Sequence, residues 1–179
     1  MQVQFRKPDM EKDLRSLFLM MSDDDQYLFS TRILCNTERD FSSWLADRLR
    51  GDFHDFYVIT DRSANGIPIG FAYDYDFSLR DGHCKLCVYV SKEYRTLGLG
   101  GIAAVSFMAL LFNTYPLRKV YSTIYEYNQQ SLQSNIRFGF VEEGVVEKFR
   151  YHNGQYHNLH YLSMSRQQFE KMRSKFVRR

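Results

Sequence analysis

The sequence has few cysteines and no apolar segment long enough to cross a membrane. Three of its 179 residues are cysteine, and the longest apolar run lies near residues 102–112. A membrane-spanning helix needs about 20 apolar residues, and the first ten residues lack the apolar segment of a signal peptide. Hydrophobic residues make up 44% of the chain, which excludes disorder caused by low hydrophobicity. We therefore expect one cytoplasmic domain, residues 1–179, that buries a core without disulfides.

Two of the cysteines are spaced as in zinc and redox sites. Cys84 and Cys87 are separated by two residues. They fall in a predicted strand, residues 84–90, in which positions three apart point to opposite faces. Two thiols on opposite faces cannot chelate one ion, so we expect no metal here.

Positive charge is concentrated at the C-terminus. The net charge is +3, and residues 171–179 contribute five positive charges and no negative one. Without these five charges the rest of the chain has a net charge of −2. We interpret this basic C-terminal tail as a solvated end and predict no nucleic-acid and no membrane partner.

A strand, a glycine-rich loop and a helix follow one another in the middle of the chain. Leu86, Val88 and Val90 alternate with Cys87 and Tyr89, which predicts a strand with one face in a core. The loop that follows contains Arg95, Thr96, Leu97, Gly98, Leu99, Gly100 and Gly101. Apolar residues then recur at helical spacing, so the glycines lie at a helix N-terminus, where free N–H groups bind anions.

Two of the phosphate-binding motifs known for such loops do not fit this sequence. A P-loop needs Lys followed by Ser or Thr after its last glycine, and here Ile102 follows Gly101. A dinucleotide fingerprint needs a βαβ unit that opens the chain, and none is predicted here.

A third pattern resembles the GNAT superfamily of N-acetyltransferases. Arg95-x-x-Gly98-x-Gly100 after a strand is similar to its acyl-CoA loop. A second match follows about thirty residues later, at Asn128-x-x-Ser131, then Gly139-Phe140 and Glu143-Gly144. The C-terminal half is similar to the branch that contains the ribosomal-protein N-terminal acetyltransferases and several amino-sugar and polyamine acetyltransferases.

The resemblance implies an α/β (α+β) GNAT fold. Its central sheet is mixed and mostly antiparallel, with a splayed parallel strand pair and flanking helices. It also implies acetyl-CoA as co-substrate and no metal. The residues implied to bind acetyl-CoA are Val88, Tyr89, Val90, Arg95, Thr96, Leu97, Gly98, Leu99, Gly100, Gly101, Asn128 and Ser131.

Acetyl transfer to an amine needs a base, donors to the thioester carbonyl and a proton source for the leaving thiolate. Many family members use a tyrosine as the acid, at the position that is Asn135 here. The resemblance leaves Ser131 as the group that stabilises the thiolate, unless its hydroxyl instead caps the following helix. The candidate bases are His83, Asp74, Asp76 and Glu126.

The acceptor is expected to be an amine of a small polar molecule or a peptide N-terminus. Residues 23–37 and 151–160 should form its walls, with Asp24 and Tyr27 on one side. Asp74 and Asp76 are two apart in a strand, which predicts one shared face that could hold a cation. We allow for a homodimer, and because Asn135 replaces the tyrosine, a non-catalytic acyl-CoA-binding regulatory module is the alternative function.

Overall fold

The structure is a computed structural model that describes residues 3–22, 27–28, 35–51, 53–61, 66–95 and 98–177. The described residues form seven strands and six helices. In chain order they are β1 (Val3–Arg6), α1 (Leu14–Ser22), α2 (Glu38–Gly51), β2 (Phe53–Asp61), β3 (Pro68–Ser78), β4 (His83–Val90), α3 (Lys92–Arg95), α4 (Leu99–Thr114), β5 (Lys119–Tyr125), α5 (Gln129–Phe138), β6 (Val141–His152), β7 (Gln155–Ser165) and α6 (Arg166–Val177). None of the described helices is long and apolar enough to span a bilayer.

The strands form one sheet in the order β1-β2-β3-β4-β5-β7-β6. All neighbours pair antiparallel except β4 and β5, which run parallel. The helix α4 joins these two strands, and such a crossover is what parallel pairing requires. The predicted α/β fold with a mostly antiparallel sheet and one parallel pair is confirmed.

The two faces of the sheet bury separate apolar clusters. On one face, Ala103 and Phe107 of α4 pack in a cluster with Phe169 of α6. On the other face, Leu17 of α1 and Phe41 of α2 pack in a second cluster. Cys84 belongs to the first cluster and Cys87 borders the second, so the two thiols do point to opposite faces.

Local hydrogen bonds account for where the helices α2 and α5 begin. At α2, Thr37 Oγ1 accepts from the Asp40 amide at 3.1 Å and donates to the Asp40 carboxylate at 2.8 Å, which resembles a capping box with Asp in place of Glu or Gln. The helix α5 covers Gln129–Phe138. Its cap is Asn128, whose Oδ1 accepts from the Ser131 amide at 3.2 Å. Ser131 therefore lies inside the first turn and is not the cap.

Candidate active site

A cavity of about 470 Å³ opens where β4 and β5 separate. The two strands pair only at His83–Lys119, Cys84–Val120 and Lys85–Tyr121. Beyond Lys85, the side of β4 that faces β5 has no registered strand partner in the described part of the chain. Backbone groups on this edge have no second strand to pair with among the described residues. The Val90 carbonyl oxygen accepts from Arg95 Nε, and the rest of the edge suits an extended ligand that contains amides.

Most of the residues predicted to bind acetyl-CoA lie around this cavity. They come from the end of β4, the start of α4 and the start of α5. The predicted residues that line it are Val88, Tyr89, Val90, Arg95, Gly98, Gly100, Gly101, Asn128 and Ser131.

The three glycines at the start of α4 differ in what they leave open. A Cβ atom at Gly98 or Gly100 would meet no atom within 4 Å, so both positions face open space. Gly98 has φ of 72°, a left-handed conformation that favours glycine. A Cβ atom at Gly101 would lie 2.7 Å from the Phe138 ring, so this glycine lets α4 and α5 approach each other. The open N–H groups of the first turn and the positive end of the helix dipole favour an anion here.

Arg95 is fixed beside the same helix end. Its Nε donates to the Val90 carbonyl oxygen at 2.7 Å, and its guanidinium carbon lies 5.1 Å from the centre of the Tyr89 ring. The side chain therefore places a positive charge between the end of β4 and the glycines.

Ser131 and Asn135 form a pair on the wall of the cavity. The Asn135 Nδ2 donates to the Ser131 carbonyl oxygen at 2.9 Å and lies 3.4 Å from the Ser131 hydroxyl oxygen. Because an amide N–H can only donate, the serine oxygen acts as acceptor in this contact. Its own O–H is then left to donate to another group.

Three of the predicted acetyl-CoA residues are not placed in the cavity. Leu99 is fully buried in the α4 cluster, so its side chain does not line the cavity. Its spacing of four from Ala103 is the helical pattern of a core position. Thr96 and Leu97 lie outside the described residues.

The candidate bases are scattered. His83 pairs with Lys119 at the closed end of the strand pair, and its ring contacts Tyr121 edge to face. Glu126 follows β5, and its Oε2 accepts from the Asn158 amide at 3.1 Å. Neither side chain belongs to the cavity lining described above.

Asp74 and Asp76 do not share a face, so that prediction was wrong. Asp74 is fully buried, and burial raises the pKa of its carboxyl above the usual range while the facing His54 opposes the shift. Asp76 is exposed and binds the Lys85 ammonium at 2.8 Å, over the face that carries Tyr75. The cause is a register shift between Tyr75 and Ser78, together with φ of 48° at Asp76, which breaks the alternation of the strand.

The predicted acceptor walls meet at an aromatic cluster. The Tyr27 ring stacks on His152 with centroids 4.8 Å apart, and the Tyr127 hydroxyl donates to the Tyr27 carbonyl oxygen at 2.7 Å. Tyr127 also contacts His157 edge to face. The neighbour of Tyr27, Leu28, lines the cavity, so this cluster adjoins it. Asp24 lies outside the described residues.

Several lining residues were not predicted. Cys87 lines the cavity, and burial raises the pKa of its thiol to about 11. Thr123 of β5 also lines it and lies 3.2 Å from the Tyr75 hydroxyl, measured between the two oxygens. The alternation of apolar and polar residues in β5 separates the two faces of that strand. It does not indicate which residues border the gap between β4 and β5, so Thr123 could not be predicted.

The mixed sheet, the separated parallel pair and the glycine-rich helix end beside it are the features of the GNAT fold implied by the sequence. The sequence profile of the acetyltransferase (GNAT) domain family matches residues 2–141. The chain therefore belongs to the GNAT acetyltransferase family.

Known relatives agree with this assignment. An uncharacterized SPbeta prophage-derived N-acetyltransferase of Bacillus subtilis, YokL, is 26% identical over 127 residues, which cover 71% of this chain and 70% of that protein. A chimera of the spermidine N-acetyltransferase SpeG from Vibrio cholerae and hSSAT has a TM-score of 0.83 at 15% identity, over 95% of this chain and 99% of that one. The V. cholerae spermidine N-acetyltransferase in complex with CoA and spermine has a TM-score of 0.76 at 16% identity, over 94% and 98%. At these identities the two structures show a shared fold.

Proposed function

We propose that this protein transfers the acetyl group of acetyl-CoA directly to a primary amine of a small polar molecule or a peptide N-terminus. One observation carries the proposal. The cavity brings together the edge of β4 that has no registered strand partner beyond Lys85 in the described chain, the glycine-rich end of α4 and the Asn128–Ser131 turn of α5, in a chain of the acetyltransferase family.

Each part of the cavity suits one part of acetyl-CoA. The amides of the pantetheine arm would pair with backbone groups of the Val88–Val90 segment, on the edge that β5 leaves without a strand partner. The Val90 carbonyl oxygen already accepts from Arg95 and keeps a second lone pair. The pyrophosphate would lie at the N-terminus of α4, over Gly98 and Gly100, where no side chain intervenes. Arg95 would add a positive charge there. The backbone N–H groups of Thr96 and Leu97 would add hydrogen-bond donors. Asn128 and Ser131 would lie near the thioester.

The transfer step needs no protein nucleophile. The amine nitrogen attacks the thioester carbon, a tetrahedral intermediate forms, and the C–S bond breaks as CoA leaves as a thiolate. The Ser131 hydroxyl donates a hydrogen bond to this thiolate, with Asn135 fixing the hydroxyl through its amide. A thiolate needs little further help, because the pKa of a thiol is about 8.5.

A protonated amine must lose one proton before the attack, since its nitrogen needs a free lone pair, and the same nitrogen loses a second proton as the tetrahedral intermediate collapses to the amide. The base and the water around it take up these protons. Of the four candidate bases, His83 is at the closed end of the strand pair, Asp74 is buried and Asp76 pairs with Lys85. We assign the role to Glu126, which acts through water, because it is two residues from Asn128 at the cavity wall.

The acceptor is inferred to be hydrophilic. Two of the compared structures are named for spermidine acetylation, and one contains spermine, a polyamine. In this chain, the aromatic cluster of Tyr27, Tyr127, His152 and His157 adjoins the cavity, and the faces of tyrosine rings attract ammonium groups. We further propose a single cytoplasmic domain over residues 1–179, and a homodimer as an assembly to test. The basic segment predicted as a solvated tail belongs largely to α6, which ends at Val177.

The decisive experiment measures CoA release from acetyl-CoA with a panel of polyamines, amino sugars, peptide N-termini and aminoglycosides. The proposal predicts release with at least one primary amine, and less release after Glu126→Gln. Acetyl-CoA binding without release for any acceptor would favour the acyl-CoA-binding regulatory module. Failure to bind acetyl-CoA would contradict both functions.

A further inference from the structure

A group of metal-ligating side chains lies outside the cavity, where the beginning of β2 meets the middle of β3. His54 Nδ1 lies 3.1 Å from Asp74 Oδ2 and 3.8 Å from Asp55 Oδ2. One ligand atom from each of the three residues lies within 4.8 Å of the others. A register shift between Phe53 and Asp55 makes His54 an extra residue in the ladder. Such a bulge re-aims side chains, and here two consecutive residues both reach Asp74.

The charges of this cluster are only partly compensated. Asp55 accepts from the Tyr115 hydroxyl at 2.7 Å and from the Lys7 ammonium. Asp74 is fully buried, and its Oδ1 has no hydrogen-bond partner among the described residues. A buried carboxylate is stable only when donors or a cation compensate it. Lys7 compensates one of the two carboxylates, and the His54 ring, which must be neutral to bind a metal, leaves the other to be compensated by the bound cation.

We propose that His54, Asp55 and Asp74 bind one divalent transition-metal ion, with Zn²⁺ as the best match. Imidazole nitrogen and carboxylate oxygen are both zinc ligands. A nitrogen donor disfavours Mg²⁺ and Ca²⁺, which prefer oxygen ligands only. Asp74 Oδ1 is a further oxygen that could bind the ion. Each Asp55 oxygen accepts one hydrogen bond and keeps a second lone pair that can bind a metal.

The ion acts on the fold and not on acetyl transfer. None of its three ligands lines the cavity. The ligands join β2 to β3, while Tyr115 and Lys7 connect Asp55 to the end of α4 and the end of β1. The ion therefore ties four parts of the chain together, and its presence should be visible in stability.

The test uses the full chain after chelator treatment, titrated calorimetrically with ZnCl₂ and with MgCl₂. We expect one equivalent of Zn²⁺ and no Mg²⁺, with binding weakened at least tenfold by His54→Gln and by Asp74→Asn. His160→Gln is the matched control, since His160 faces a single carboxylate, that of Glu142, at 2.7 Å. Zn²⁺ at about a hundredfold excess over its Kd should raise the Tm of the parent by roughly 5–10 °C, and of His54→Gln by much less.

Three outcomes would overturn the proposal. These are no Zn²⁺ bound by the parent, unchanged binding in both ligand variants, or binding lost in His157→Gln but kept in His54→Gln, which would place the ion at the β6–β7 hairpin. The test does not measure acetyl-CoA turnover. Failure of the metal-binding proposal would therefore not contradict the proposed function.

Discussion

The Asn135 amide nitrogen lies 3.4 Å from the Ser131 hydroxyl oxygen, one helical turn away on α5. Replacing Ser131 with Ala removes the donor to the leaving thiolate, so we expect kcat to fall about tenfold to hundredfold with the KM for acetyl-CoA little changed. Steady-state kinetics with the best acceptor measures this loss.

The same pair predicts non-additive effects. Asn135→Ala should lower kcat less than Ser131→Ala, and adding it to Ser131→Ala should cause no further loss, because the amide acts through the hydroxyl. Independent, multiplying losses in the double variant would show that Asn135 does not position Ser131.

Acetyl-CoA binding should depend on the open space at Gly100. Gly100→Glu places a negative side chain where the pyrophosphate would lie, and the position has ordinary helical backbone, unlike Gly98. We expect acetyl-CoA affinity to fall at least a hundredfold by calorimetry. Gly144→Glu is the control, because its Cβ also meets no atom within 4 Å but lies on β6. Equal affinity in both variants would remove the glycine-rich end from the site.

Cys87 should be dispensable even though it lines the cavity. With a pKa of about 11, its thiol stays protonated at neutral pH and is a poor nucleophile. We expect Cys87→Ala to keep kcat within about twofold, and mass spectrometry of the parent to detect no acetylated enzyme. An acetyl group on Cys87, with activity lost in the variant, would replace direct transfer by a two-step route.

The Tyr27–His152 stack should contribute to acceptor binding. Tyr27→Ala removes a ring face beside the cavity, so the acceptor KM should rise several-fold while kcat changes little, the pattern of lost uniform binding. Tyr156→Ala removes an exposed ring of the hairpin and should leave KM unchanged. A fall in kcat alone would mean that Tyr27 acts on the transfer step.

Acid stability should depend on Asp13. The Arg6 guanidinium holds both oxygens of this buried carboxylate at 2.5 and 2.7 Å and lowers its pKa below the usual range. A lowered folded-state pKa stabilises the protein above the unfolded pKa of about 3.9, and this stability disappears as pH falls through the folded value. Asp13→Asn should therefore cost on the order of 1–3 kcal/mol at pH 7.

Urea unfolding at several pH values checks this expectation. The difference between Asp13→Asn and the parent should shrink below about pH 4, where the parent carboxylate also takes up a proton. Asp47→Asn, at an exposed pair with Arg50, should change stability by less than about 0.5 kcal/mol. A loss that is the same at pH 7 and pH 3 would exclude the ion pair as its cause.

Features set by local pattern could be predicted from the sequence. The alternation from Leu86 to Val90 predicted β4, and the resemblance to the GNAT superfamily implied the parallel pair that β4 forms with β5. Asn128 and Ser131 were both placed near the site from their motif. The helical spacing also indicates the buried position of Leu99, since this residue lies one turn before Ala103 on the apolar stripe of α4.

Features set by register could not be predicted. The bulge at Asp76 separates it from Asp74, and the bulge at His54 brings two neighbouring side chains to one place. Nothing in the order of residues marks either irregularity, because a bulge depends on how the partner strands are packed. The position of His83 at the closed end of the strand pair likewise follows from its register with Lys119.

The short pairing of β4 with β5 also affects how the sheet would open. Three registered pairs join these strands, whereas β3–β4 and β5–β7 each have seven, so the sheet consists of a four-strand part and a three-strand part along a weak seam. Those amide hydrogens of residues 86–90 that face the seam, and not the ones bonded to β3, should exchange with solvent sooner than those at the centre of either part. A ligand held along the open edge of β4 would act as an extra strand across the seam, so occupancy and the mechanical cohesion of the sheet would rise together.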